Sequence, residues 1–350
     1  MLGRWAFLPA RPSRRDGFAN DPADFAQQPN MDAFSEILSR VKLNGALYFN
    51  AEFSAPWGVL APSSSELAPA LAPGARHLVI FHLVLDGAAF ARLDGPPVEL
   101  EPGDIVVFPH GDPHTLSSES HPMEVRESSD VERKILAQEL SLLRAGGGGK
   151  TTRLVCGYMA CEPHLSRPVL SGLPQMFKVN IRTDKAGCWL EDSILHLVDE
   201  AASGTVGSQA MLAKLSEALF VATLRRYMAE MPDQQTGWLS AARDPVVGRS
   251  LTLMHSRVDY PWTIAGLAGE VGISRSALVE RFTRYLSEPP MTYLTRWRLQ
   301  LAARTLVGTS KGVAEIASSV GYESEAAFNR AFKREFGLPP ARYRREKRSA

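Results

Sequence analysis

Two stretches near the C-terminus, about 50 residues apart, follow the same plan, and that repetition limits the fold more than any other feature of the chain. The first reads WTIAGLAGEVGISRSALVERFTRYLSEPP and the second GVAEIASSVGYESEAAFNRAFKREFGLPP. Each opens with a short run of helical period, through Ile264, Leu267, Ala268 and Val271 or through Val313, Ile316, Ala317 and Val320. A turn glycine follows (Gly272; Gly321), then a serine placed to cap a second helix (Ser274; Ser324). The second helices bury Leu278 and Phe282, or Phe328 and Phe332, at matching i and i+4 positions, and each unit closes on a proline pair. Short helix, tight turn and longer helix make a helix-turn-helix unit. Between the units, MTYLTRWRLQLAARTLV predicts a continuous amphipathic helix that holds them at a fixed separation. Such a pair presents two second helices to successive major grooves, about 34 Å apart on one face of B-DNA.

Charge follows the same division. The net charge is only +1, but residues 245 to 350 hold 17 Lys and Arg against 9 Asp and Glu, which leaves the first 244 residues net acidic. A basic C-terminal part is drawn to a polyanion through counterion release, and an acidic N-terminal part is not. The remaining composition, 45% apolar and 22% charged, is that of a globular protein of two domains. No stretch approaches the roughly 20 apolar residues of a membrane helix, and the opening MLGRWAFLPARPSRRDG lacks the apolar region of a secretory signal. Three cysteines cannot form a disulfide framework and fit a reducing cytoplasm.

The segment SVGYESEAAFNRAFKREFGLPPARYR closely follows the signature of the AraC family, and residues 246 to 345 resemble that family's DNA-binding domain. The resemblance implies a bipartite domain that reads double-stranded promoter DNA and contacts RNA polymerase, more often as an activator. Carried over position by position, it implies base-facing residues at Arg275, Ser276, Val279 and Glu280 in the first unit and at Ser324, Ala326, Asn329 and Arg330 in the second. Arg330 has the fork that fits a guanine edge and Asn329 the amide that pairs with adenine. Arg284, Lys333 and Arg334 suit phosphates, which set register without reading sequence. Glu280 departs from the Arg or Gln common in the family: it accepts from cytosine, is repelled, or pairs with Arg284 along the helix. Gly266 and Gly269 cost the first short helix about 1 kcal/mol each against Ala.

The N-terminal part changes period. Residues 1 to 30 show none and read as a disordered extension, with Met31 as an alternative start. Residues 31 to 41 are amphipathic and helical through Phe34, Ile37, Leu38 and Val41. From about residue 46 to 116, short apolar runs broken by Pro and Gly turns predict a β sandwich or small barrel, which TRLVCGYMACEP rejoins later. Residues 131 to 144 have helical spacing and meet GGGG, a flexible break. Residues beyond Gly187 are helical, and the stripe Met211, Leu212, Leu215, Leu219, Phe220 and Leu224 is wide enough to suggest a partner subunit. Residues 232 to 245 read as the connection between domains.

The spacing Gly103, five residues, Pro109, one, Gly111, two, His114 resembles the second half-motif of the cupin barrel, where that histidine is an inward metal ligand. The first half-motif is degenerate, since HLVIFHLVLDGAAF offers His77 and His82 without the His-x-His and its glutamate. Two readings stand: His82, His110 and His114 converge with Cys156 on a divalent metal, or they line a ligand cavity. Cys156 and Cys161, five apart in a strand, face opposite sides, so they are either buried small residues or thiol sensors, with His164 nearby. The run GGGGKTT is not a phosphate-binding loop, because Arg144 stands where its first glycine is required and a helix rather than a strand is expected before it.

The chain is therefore expected to be α+β: a disordered extension over 1–30, a cupin-like sensor barrel over 31–186, helical dimerisation and linker elements over 187–244, and an all-α domain over 245–345 with units at about 262–286 and 312–337. The function this implies is a cytoplasmic, homodimeric, non-enzymatic transcription regulator that responds to a small-molecule effector or metal. A metal-dependent cupin enzyme fused to a DNA-binding domain is the alternative.

Overall fold

The computed structural model describes residues 34–35, 43–73, 75, 77–120, 133, 142–161, 170, 172–203, 206–232 and 235–348. The expected extension over 1–30 and most of the first helix lie outside them; Phe34 and Ser35 are helical. The β-rich part runs β1 (Leu43–Ser54), β2 (Gly58–Ala61), α1 (Ser64–Leu71), β3 (Leu78–Asp86), β4 (Ala89–Arg92), β5 (Val98–Leu100), β6 (Asp104–Phe108), β7 (His114–Ser117), β8 (Leu143–Gly146), β9 (Thr151–Cys161) and β10 (Phe177–Asn180). A six-stranded sheet has the order β10-β6-β3-β9-β1-β8, and a four-stranded sheet has the order β2-β7-β4-β5.

Strand β3 shows how the layers form. Its LVIFHLVL run lacks polar alternation because both of its faces are covered. Leu78, Ile80 and Val84 join Phe49, Phe53, Leu100, Phe108 and Leu116 in a core between the two sheets. Val79, Phe81 and Leu83 face the other way, into a core completed by helices α2 (Lys185–Ser203) and α3 (Ser208–Glu230). There Leu190, Ile194 and Leu197 of α2 meet Leu212, Leu219, Phe220 and Leu224 of α3. The apolar stripe of α3 is thus largely consumed inside this chain. Met211 stays exposed, at 37%, as does Trp189 of α2, at 52%.

The segment before β9 departs from its expectation. Only Arg133 is described within 131–141, and it is helical; Leu143 and Arg144 belong to β8, which pairs parallel with β1. The glycine run is a bonded turn and not a loose break: Gly147 and Gly149 donate to the carbonyls of Ser54 and Ala55, each at 2.8 Å, and Gly148 donates to Ser54 Oγ. A strand, not a helix, precedes GGGGKTT. The run leads into strand β9, where a phosphate loop needs a helix, so the spacing and the succeeding element exclude that loop.

The C-terminal part is helical: α4 (Trp238–Arg243), α5 (Pro245–Ser256), α6 (Ile264–Glu270), α7 (Arg275–Leu286), α8 (Pro290–Gly308), α9 (Val313–Ser319), α10 (Glu325–Phe336) and α11 (Pro340–Arg348). The expected connection over 232–245 contains α4, whose Trp238, Leu239 and Ala241 are buried. Trp238 Nε1 donates to Tyr293 Oη on α8 at 3.0 Å, and its ring lies 6.4 Å from Phe34. Polar side chains fix the helix starts: Ser274 and Ser324 accept from the amides of Ala277 and Ala327 at 3.2 and 3.0 Å. Gly272 and Gly321 have φ of 72° and 80°, which a side chain disfavours, so the turn of each unit depends on glycine. At the far end of α8, Arg344 and Arg348 donate to the carbonyls of Leu306 and Val307, each at 2.9 Å, and satisfy the last turn.

One asymmetry separates the repeats. Helix α10 ends on Gly337 at φ 75°, whereas α7 ends on Ser287 at φ 58°. A left-handed serine costs roughly 1 kcal/mol that glycine avoids. Ser287→Gly is expected to stabilise the protein by about 0.5 to 1 kcal/mol, read as a higher denaturant midpoint at unchanged slope.

Candidate nucleic-acid interface

Helices α7 and α10 each turn one face inward and leave the other in water. Leu278 and Phe282, and Phe328 and Phe332, are fully buried. On the opposite faces Arg275, Ser276, Glu280, Arg284, Ser324, Ala326, Arg330, Lys333 and Arg334 are exposed, and Val279 and Asn329 are half-buried. The four positions carried over to the first unit share one open concavity with Thr263, Ile264 and Ala265 at the start of α6. Those three residues were missed, because only the packing of α6 against α7 brings its first turn to the recognition face. The α6 amide terminus supplies an N–H dipole at the same edge.

The charges divide by role. Arg281 of α7 points away from this face and pairs with Asp244 at 2.7 Å, whose other oxygen caps α5 by accepting from Val246 and Val247. Burial raises the Asp244 carboxyl, but the Arg281 guanidinium and the two amides outweigh it and hold the group below its ordinary range. Arg296 is spent on Glu288. Among the described residues no ion pair joins Glu280 to Arg284, so the pairing expected as one option for Glu280 is not formed; Arg284 lies beside the Tyr285 ring. Helix α10 carries Arg330, Lys333 and Arg334 on its exposed side, without an acidic partner among the described residues. The repeats superpose by sequence with Glu280 opposite Arg330, so the two recognition faces carry opposite charges at one position. Ser324 holds its hydroxyl on the helix start, and the position matching Arg275 is the exposed Glu325.

The histidines of the β-rich part do not gather as expected. His82, His114 and Cys156 meet between the sheets, while His110 turns to the carbonyl of Leu173 at 3.1 Å. His114 Nδ1 lies 2.9 Å from the carbonyl of Asp112, which only accepts, so that nitrogen carries the proton and Nε2 accepts. His82 Nε2, at 2.8 Å, therefore donates to His114, and His82 Nδ1 accepts from the Cys156 thiol at 2.9 Å. Because His82 uses its two nitrogens on opposite edges of the ring, Cys156 and His114 cannot bind one ion together with it. Among the described residues no group of three His, Cys, Asp or Glu is placed to hold a metal. The Cys161 and His164 side chains lie outside the described residues, and Cys188 is exposed.

This chain of hydrogen bonds is held neutral. Burial, and then the neighbouring His114, push His82 well below its ordinary value; burial takes His114 down to about 4; burial pushes the Cys156 thiol up. A thiol so held is a core residue and not a nucleophile. A separate small apolar void lies between the outer sheet face and helices α2 and α3, lined by Phe81, Val107, Met159, Ile194, Phe220 and Thr223.

A cupin family model matches residues 32–229, more than half of the chain, and a helix-turn-helix domain model matches residues 267–346. A putative AraC-like transcription regulator of Streptomyces antibioticus is 32% identical over 296 residues, covering 82% of this chain and 96% of that protein. The chain belongs to the AraC-like transcription regulators with a cupin N-terminal domain. AlkR of Acinetobacter baylyi, an HTH-type transcriptional regulator, is 27% identical over 90% of this chain and 100% of its own length. RclR of Escherichia coli, an RCS-specific HTH-type transcriptional activator, is 27% identical over 90% of this chain and 97% of its own length. A β-rich cupin domain followed by a helical AraC-type domain accounts for the α+β architecture of this regulator.

The depressed histidines make stability depend on pH. A histidine with a folded pKa below its unfolded value contributes fully above about pH 6.5, and the contribution is lost as the unfolded chain takes up its proton down to the folded value. For His114 the window is therefore about pH 6.5 to 4. Between pH 7.5 and 4.5 this amounts to roughly 2 to 3 kcal/mol. In denaturant unfolding of full-length protein, His114→Gln is expected to be less stable at pH 7.5 but to lose that much less on acidification.

Proposed function

We propose that this AraC-family regulator binds promoter DNA through two sequence boxes about one helical turn apart, and acts as a homodimeric cytoplasmic activator that engages RNA polymerase. The observation that carries the reading is the pair of braced recognition helices, whose apolar faces are consumed by one core and whose opposite faces present Arg275, Arg330, Lys333 and Arg334 to solvent. In the second unit Asn329 and Arg330 read bases, and Lys333 and Arg334 hold phosphates. In the first, Arg275, Ser276, Val279 and Glu280 read bases beside the α6 terminus, with Arg284 on the backbone. Activation is the role named for RclR. The domain limits proposed are 31–186 for the sensor, 187–244 for the helices and connection, and 245–345 for DNA binding.

The sensing part answers to a small effector through its cupin domain. A regulator without enzymatic activity is favoured by the neutral, metal-unfit cluster at His82. Exposed Trp189 and Met211 leave α2 and α3 an apolar surface for a second copy. No helix among the described residues is long and apolar enough to cross a membrane.

Selection of bound duplexes from a random pool with full-length protein is expected to return a two-box motif. Arg330→Ala then weakens binding by about 5- to 150-fold and relaxes preference at one base, as loss of a bidentate contact worth roughly 1 to 3 kcal/mol requires. Lys333→Ala weakens all duplexes alike and lowers the salt slope by about 1. Enrichment of no motif, with and without cell-derived small molecules, would sink the reading.

A further inference from the structure

One side chain of α8 holds main-chain carbonyls from both helix-turn-helix units. Arg298 Nε donates to Val258 O at 2.8 Å and Nη2 to Tyr260 O at 2.7 Å, both in the segment that leads from α5 into α6 of the first unit. Its Nη1 reaches Gly321 O at 3.4 Å, in the turn between α9 and α10 of the second unit. The contact is close: a Cβ placed on Gly321 would fall 2.7 Å from Arg298 Nη2 and 2.8 Å from the carbonyl of Asp259. The second unit's turn therefore rests directly on Arg298 and on the first unit's leading segment, and its glycine is required twice, for φ and for room. Burial lowers the Arg298 pKa, with Tyr322 and Asp259 acting the other way.

We propose that Arg298 is a positioning residue that locks the two recognition helices at one separation and rotation, and so makes the protein selective for the spacing between its two DNA boxes. A planar guanidinium donates along several fixed directions at once and can bridge acceptors on two sides, whereas an ammonium on the same stem cannot. On B-DNA each added base pair moves the second box by about 3.4 Å and rotates it by about 35°. A locked pair of helices cannot follow that displacement, and a pair freed of the Arg298 bridge can. The inference rests on the two-box reading above.

The test uses full-length protein and duplexes in which the two selected boxes are kept at the preferred spacing, moved one or two base pairs closer or farther, or reduced to one box. Wild-type protein is expected to lose at least tenfold in affinity for a one-base-pair change. R298K and R298Q are expected to flatten that profile to about threefold or less by losing affinity at the preferred spacing, while single-box binding stays within twofold. An unchanged spacing profile in variants that melt cooperatively overturns the proposal. So does an equal loss on single-box and two-box duplexes, or failure of both variants to melt cooperatively, since each would assign Arg298 to folding alone. If wild-type protein binds one box as tightly as two, the two-box reading itself fails and takes the lock with it; loss of only the spacing effect in wild type overturns the lock and leaves that reading standing.

Discussion

The outer face of the six-stranded sheet is apolar and has to be covered, and the rest of the architecture depends on how that is done. Helices α2 and α3 lie over it, and the same contiguous core continues past Trp238 into the helices of the DNA-binding part. Burying each large side chain there contributes roughly 1.5 to 3 kcal/mol. Trp238 combines bulk with a polar handle: its ring meets Phe34, and its indole N–H is satisfied by Tyr293, whose hydroxyl also lies 2.9 Å from His255. The connection between the cupin domain and the DNA-binding helices is therefore packed rather than slack.

Between the sheets, a different constraint operates. Two imidazoles and a thiol are buried where charge is costly, and the only low-cost arrangement is one in which each donor meets an acceptor. The carbonyl of Asp112 sets the direction, and the proton positions on His114, His82 and Cys156 are fixed in turn. His114, the histidine of the cupin-like half-motif, is thus one link in a neutral hydrogen-bonded chain inside an apolar sandwich.

The two helix-turn-helix units are similar in core and different in surface. Their buried positions match, and their caps match. Their recognition faces differ in charge at Glu280 and Arg330, and the second turn carries one more residue, since five residues separate α9 from α10 and four separate α6 from α7. Packing requires only that apolar side chains recur at i and i+4, so the repeats keep that pattern while their exposed positions diverge.

The repeat, its caps and its turn glycines were legible in the sequence, because helical period, N-cap chemistry and left-handed backbone each leave a local mark. The cupin half-motif around His114 was legible for the same reason. Four things were not. At Leu143 and Arg144 the helical spacing before GGGG gave way to strand β8, because parallel pairing with β1, about 90 residues away, overrides local propensity. The stripe on α3 met the sheet of its own chain, which period alone cannot distinguish from a partner's surface. His110 left the other histidines for Leu173, and Arg298 joined two units, through contacts spanning 63 and 40 residues of sequence. Local pattern determined what each segment is; only the long-range meeting of segments decided which side chains face one another, because that depends on where the whole core closes.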